Sequence, residues 1–175
     1  DDSGVSWNYM GRLNDQSVGG YSNFYHKFRV HGDKIHFIGT EAHPRDYDDN
    51  SIYHGYIQNG ISYDSYGNQI DVINDQDAPA IGAFTQIWDS GPVTSTDYHT
   101  GWTNEIEVSE DGYPVCLFQT RYGTDSWGGE AGAEDHRFFY GRFDGSSWTC
   151  TELAKMGRGF NTDEQDYTGM GCIHP

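Results

Sequence analysis

Histidine and tyrosine exchange protons near neutral pH once their surroundings tune them, and this chain holds 8 of the first and 13 of the second. Four histidines stand where a strand or loop could aim them at a cleft. His54 lies in the aromatic run Ile52-Tyr53-His54-Gly55-Tyr56, His99 precedes Gly101-Trp102, His136 adjoins Arg137, and His43 precedes Pro44 at a loop start. Arg121, Arg137 and Arg142 supply the planar fork that matches a carboxylate with two hydrogen bonds. Cys172 and His174 would share one side of a strand, which is half of a zinc site; His99, His136 or Asp135 could complete it.

Other chemistries are absent from the pattern. There is no phosphate-cradling or dinucleotide glycine loop, no His-Glu-x-x-His and no Gly-x-Ser-x-Gly, so no organic cofactor is expected. Asp64-Ser65-Tyr66-Gly67-Asn68 and the run 46–50 have the composition of calcium loops but lack the spacing and terminal glutamate of an EF-hand, and read as turns. Zinc or calcium in a structural role is the cofactor expectation.

The elements that must position these residues are short strands. With 23 Gly, 13 Tyr, 9 Phe and 5 Trp and no Ala/Leu/Glu/Lys runs, the chain favours strands joined by glycine turns. Four hairpins are predicted. Residues 24–42 turn at His31-Gly32-Asp33 and 51–63 at Asn59-Gly60; residues 102–122 turn at Glu110-Asp111-Gly112 and 136–153 at Asp144-Gly145-Ser146. Two four-stranded units result, about 24–63 and 102–153, within a single all-β domain or propeller segment spanning 1–175. Four-stranded antiparallel units that bury their faces on one another are β-propeller blades, and about two blades plus partial neighbours are expected; a β-sandwich uses the same strands. Residues 171–175 look like the start of a further strand, and 81–88 like a buried one. The chain starts Asp1-Asp2, so it reads as processed or as an excerpt of a larger propeller, with association to further blades or copies expected.

Ten basic residues against 27 acidic ones give a formal charge of −17, which repels nucleic acid and anionic membranes and suits a secreted, extracellular or periplasmic protein. No apolar stretch reaches membrane-spanning length. Three cysteines allow at most one internal disulfide. The long acidic loops, 124–135 above all, are of a length that is usually functional.

The run from Glu134-Asp135-His136-Arg137-Phe138-Phe139-Tyr140-Gly141-Arg142-Phe143-Asp144-Gly145 to Trp148, with Glu164-Gln165-Asp166-Tyr167-Thr168-Gly169, resembles the BNR-repeat proteins that include lyases of ulvan and rhamnose–glucuronate polymers. Tyr25-His26 and Ile52 to Tyr56 fit that pattern more loosely. The resemblance implies β-elimination on an acidic polysaccharide, in which a base takes the uronate C5 proton, an acid protonates the leaving oxygen and an arginine offsets the carboxylate. On this reading Arg137 is the neutraliser, Tyr122 the acid–base tyrosine, and His54 and His99 the accompanying histidines. His136, Arg121, His43 and Trp127 would bind substrate. Two alternatives stand beside it: a carbohydrate-binding or adhesive module without catalysis, and a sialidase-like hydrolase, for which no arginine cluster is evident.

Overall fold

The computed structural model describes residues 4–9, 11–15, 24–44, 49–73, 75, 77–91, 98–123, 135–157 and 171–174. The four hairpins form where turn chemistry places them. Strands β1 (His26–His31) and β2 (Lys34–Thr40) meet at Gly32, whose φ of 60° suits glycine. Between β4 (Ile52–Gln58) and β5 (Ile61–Asp64), Asn59 and Gly60 both take positive φ, 53° and 78°, as a two-residue hairpin turn requires. Strands β8 (Tyr98–Val108) and β9 (Pro114–Gly123) make the third hairpin, and β10 (Asp135–Phe143) and β11 (Trp148–Gly157) the fourth.

The hairpins assemble into two sheets. One has the order β1-β2-β4-β5-β6, where β6 is Gln69–Val72 and β7 (Thr85–Trp88) also pairs β4. The other runs β11-β10-β9-β8-β3, its last member being the two-residue β3 (Asp49–Asn50), which pairs β8 in parallel. Asn50 joins the two units. Its fully buried side chain donates to Gly101 O at 2.8 Å and to Ala42 O at 3.0 Å, and accepts from Ala42 N at 2.9 Å.

Strand alternation then decides the layers. Ile38, Ile52 and Ile87 of the first sheet meet Ile106, Cys116 and Phe118 of the second, with Phe139 stacked on Phe118 at 5.4 Å between ring centroids. The alternate residues Phe37 and Tyr53 point the other way and are covered by Ile81 and Phe84, at and just beyond a 3-10 turn over Ile81–Ala83. Each large apolar side chain so buried contributes about 1.5–3 kcal/mol of transfer free energy.

The all-β prediction holds, and three corrections follow. The two sheets, antiparallel but for β3, stack as in the sandwich alternative, and no closed propeller is seen among the described residues. Residues 171–174 form no strand; Gly171 lies against Leu117 and Phe138, and Ile173 N donates to Glu105 Oε2 at 2.5 Å. In 81–88 only Thr85–Trp88 is strand. All three cysteines are free thiols, as the limit of at most one internal disulfide allows.

Candidate functional site

The antiparallel register of β8, β9 and β10 brings the sequence candidates to one end of the second sheet. His99 pairs with Tyr122, and Tyr122 with Asp135; in the next row Thr100 pairs with Arg121, and Arg121 with His136. Directly paired residues share a face, and residues two apart return to it. Thr100, Trp102, Gln119, Arg121 and His136 therefore line one recess, with Pro44 at its rim. The recess holds about 10 Å³, roughly the volume of one water-sized probe. Arg121 is 5% and His136 1% exposed. The rings of Tyr25, His43 and Trp102 meet edge to face beside it, at 5.1 to 5.4 Å. Of His99, Tyr122 and Asp135 the backbone alone is described, and Trp127 lies outside the described residues.

Arg137 stands one place along, paired in register with Thr120. Its Nη1 donates to Glu152 Oε2 on β11 at 2.9 Å, so its charge already faces a carboxylate. Arg142 pairs with Asp111 near the opposite end of β10.

His54 belongs to a different place. Together with Lys34, His36, Tyr56 and Ser65 of the first sheet, and Tyr113 and Phe143 of the second, it lines a cleft of about 250 Å³ at the hairpin end of the sheets. His54 Nδ1 lies 2.8 Å from Ser65 Oγ, and its Nε2 lies 3.3 Å from His36 Nδ1. Trp148 Nε1 donates to the same Ser65 oxygen at 2.8 Å. Burial holds the pKa of His54 well below 6.5. Burial first, with the charges of Lys34 and His31 adding to it, brings His36 down to about 4. Both rings are thus neutral at pH 7.

No group of three His, Cys, Asp or Glu side chains gathers as a metal site among the described residues. Cys172 and His174 are both exposed at the sheet margin, still half a site. Asp64, in the calcium-like run, caps its own turn: Oδ1 accepts from Tyr66 N and Asn68 N, each at 2.9 Å, and Oδ2 from Asn68 Nδ2 at 2.8 Å.

No family model matches the chain, and no curated protein matches it. Among solved structures it is similar to a polysaccharide lyase, described as a PL25 ulvan lyase bound to -[GlcA(1-4)Rha3S]-, with a TM-score of 0.53 at 13% identity. The likeness is one of fold. It covers 78% of this chain and 32% of that one, so the chain spans about a third of the lyase's length.

Sequence reasoning missed His36, Lys34, Ser65 and Trp148. The signal for His36 was its period-2 spacing from Ile38, whose register partner is His54. That register becomes visible only once the hairpin following β2 is placed. Nothing local to Trp148 announces a partner on the other sheet.

Proposed function

We propose that this chain is a polysaccharide-lyase unit that cleaves uronic-acid-containing polymers by β-elimination and acts outside the cell. The observation that carries the reading is the end of the second sheet, where a buried arginine and histidine, Arg121 and His136, pair in register and line one recess. The lyase-like fold supports it.

The chemistry sets the roles. The C5 proton of a uronate becomes removable when the carboxylate charge is offset. Arg121, which lines the recess beside His136, replaces Arg137, which lies outside it and faces Glu152, as the proposed neutraliser. His136, which shares Arg121's face and lines the same recess, takes the C5 proton. The freed electron pair forms the C4=C5 double bond, the C4–O bond breaks, and the leaving oxygen receives that proton from His136.

Binding without cleavage is the second reading, favoured by how little room the recess has. Incubation with uronate polysaccharides, ulvan included, separates the two: β-elimination creates unsaturated uronate ends that absorb in the near ultraviolet. Loss of the signal in His136→Gln with sugar binding retained supports the lyase. Binding with no absorbance on any polymer supports the module.

A further inference from the structure

One assignment of the hydrogen bonds along the wall of the hairpin-end cleft gives each donor from Trp148 to His54 a protein acceptor. Trp148 Nε1 can only donate, and it donates to Ser65 Oγ. The Ser65 hydroxyl proton then goes to its other neighbour, His54 Nδ1. With Nδ1 accepting, neutral His54 carries its proton on Nε2 and donates it to His36 Nδ1. His36 in turn keeps its proton on Nε2, at the cleft wall. The opposite assignment leaves the Ser65 hydroxyl proton without an acceptor among the described residues. The chain Trp148, Ser65, His54, His36 thus ends in an N–H donor.

A cation stands beside that donor. Lys34 lines the same cleft, its ammonium 4.3 Å from the centroid of the Tyr56 ring. Lys34 makes no ion pair among the described residues. The nearby carboxylates are engaged elsewhere: Asp64 with its turn, and Asp33 as acceptor from Gln58 Nε2 at 2.6 Å. In so acidic a protein, a lysine without a carboxylate partner among the described residues, beside an oriented N–H, makes a local anion preference. The rest of the lining is aromatic. Tyr56, Tyr66, Tyr113 and Phe143 contribute rings, Tyr66 being 56% and Tyr113 37% exposed, and the C–H faces of a pyranose pack on such surfaces. The volume of about 250 Å³ suits a single sugar ring.

We propose that this cleft is a second carbohydrate site, separate from the Arg121 recess, which binds one carboxylated sugar residue through Lys34 and His36 Nε2–H with the ring against Tyr56 and Tyr66. The choice of a sugar rests on the polysaccharide reading; the choice of an anion rests on the cleft alone.

The test is NMR of protein labelled with 15N in its histidine rings, titrated with sodium glucuronate, with glucose and sodium sulfate as controls. Glucuronate is expected to shift the His36 Nε2 resonance saturably, and Lys34→Met to weaken binding by about tenfold. An absent shift, an equal response to glucose or to sodium sulfate, or unchanged affinity in Lys34→Met overturns the proposal. The two readings fail separately: glucuronate binding without lyase activity removes only the lyase, and lyase activity without glucuronate binding here removes only the second site.

Discussion

Trp148, on the outer strand of one sheet, donates its indole N–H to the hydroxyl of Ser65 in the other, 83 residues earlier in the chain and 2.8 Å away. The bond crosses the sheet interface at its hairpin end, where the indole also packs 5.0 Å from the His54 ring. Trp148→Phe keeps most of that packing and removes the donor. A loss of about 1–2 kcal/mol is expected in urea unfolding, since the Ser65 oxygen keeps one partner rather than two. An unchanged midpoint would mean that the bond contributes nothing to holding the sheets together.

Acid should weaken the fold well above the range where carboxylates titrate. His26 and His36 are held at about 4 against an ordinary 6.5, chiefly by burial, and burial also holds His54 well below 6.5. These rings are neutral when folded and take up protons when unfolded below pH 6.5. The unfolded chain binds more protons, so stability is present above that pH and is lost as pH falls from 6.5 towards 4. About 2 kcal/mol or more is expected to disappear between pH 7 and 5. Urea midpoints at pH 7, 6 and 5 measure it, and a flat profile would contradict the buried, neutral histidines.

Gly55 has no room for a methyl group. A Cβ there would lie 2.6 Å from Phe84, 2.7 Å from Phe37 and 2.8 Å from the carbonyl oxygen of Tyr63, the last of which is backbone and cannot swing aside. Gly55→Ala is expected to cost about 2–4 kcal/mol in thermal or urea unfolding. A variant within about 0.5 kcal/mol of wild type would show that the layer between β4 and the Phe84 segment is looser than described.

The thiols should separate by burial. Desolvation raises Cys116 well above its ordinary pKa and lifts Cys150 to about 11, whereas Cys172 is exposed. Ellman's reagent on the native protein at pH 8 is expected to find one rapid thiol, and three after denaturation. Rapid reaction of two or more in the native state would contradict the burial of the Cys116–Cys150 pair.

Turn chemistry made the four hairpins legible, because Gly32, Asn59-Gly60, Gly112 and Gly145 all take the positive φ that their residue types announce. Pairing across a hairpin was legible for the same reason: once Gly112 turns, His99 and Arg121 must come to one end of the sheet. Contacts between the sheets were not. Nothing in the local pattern tells Trp148 from any other blade-packing tryptophan, and His54, grouped with Arg137 and Tyr122 on residue type, sits in a different cleft. The short strand β3 was hidden because its identity comes from the buried Asn50 amide rather than from apolar alternation.

The account rests on Arg121 serving a uronate carboxylate in the recess while Arg137 serves Glu152. Near-ultraviolet absorbance during incubation with ulvan, run in parallel on wild type, Arg121→Ala and Arg137→Ala with folding verified by circular dichroism, tests this most directly. The expected result is a rise for wild type, a fall in rate of about a hundredfold or more for Arg121→Ala, and a much smaller effect for Arg137→Ala. No rise for wild type on ulvan or on any other uronate polymer, or full activity in Arg121→Ala, would contradict it.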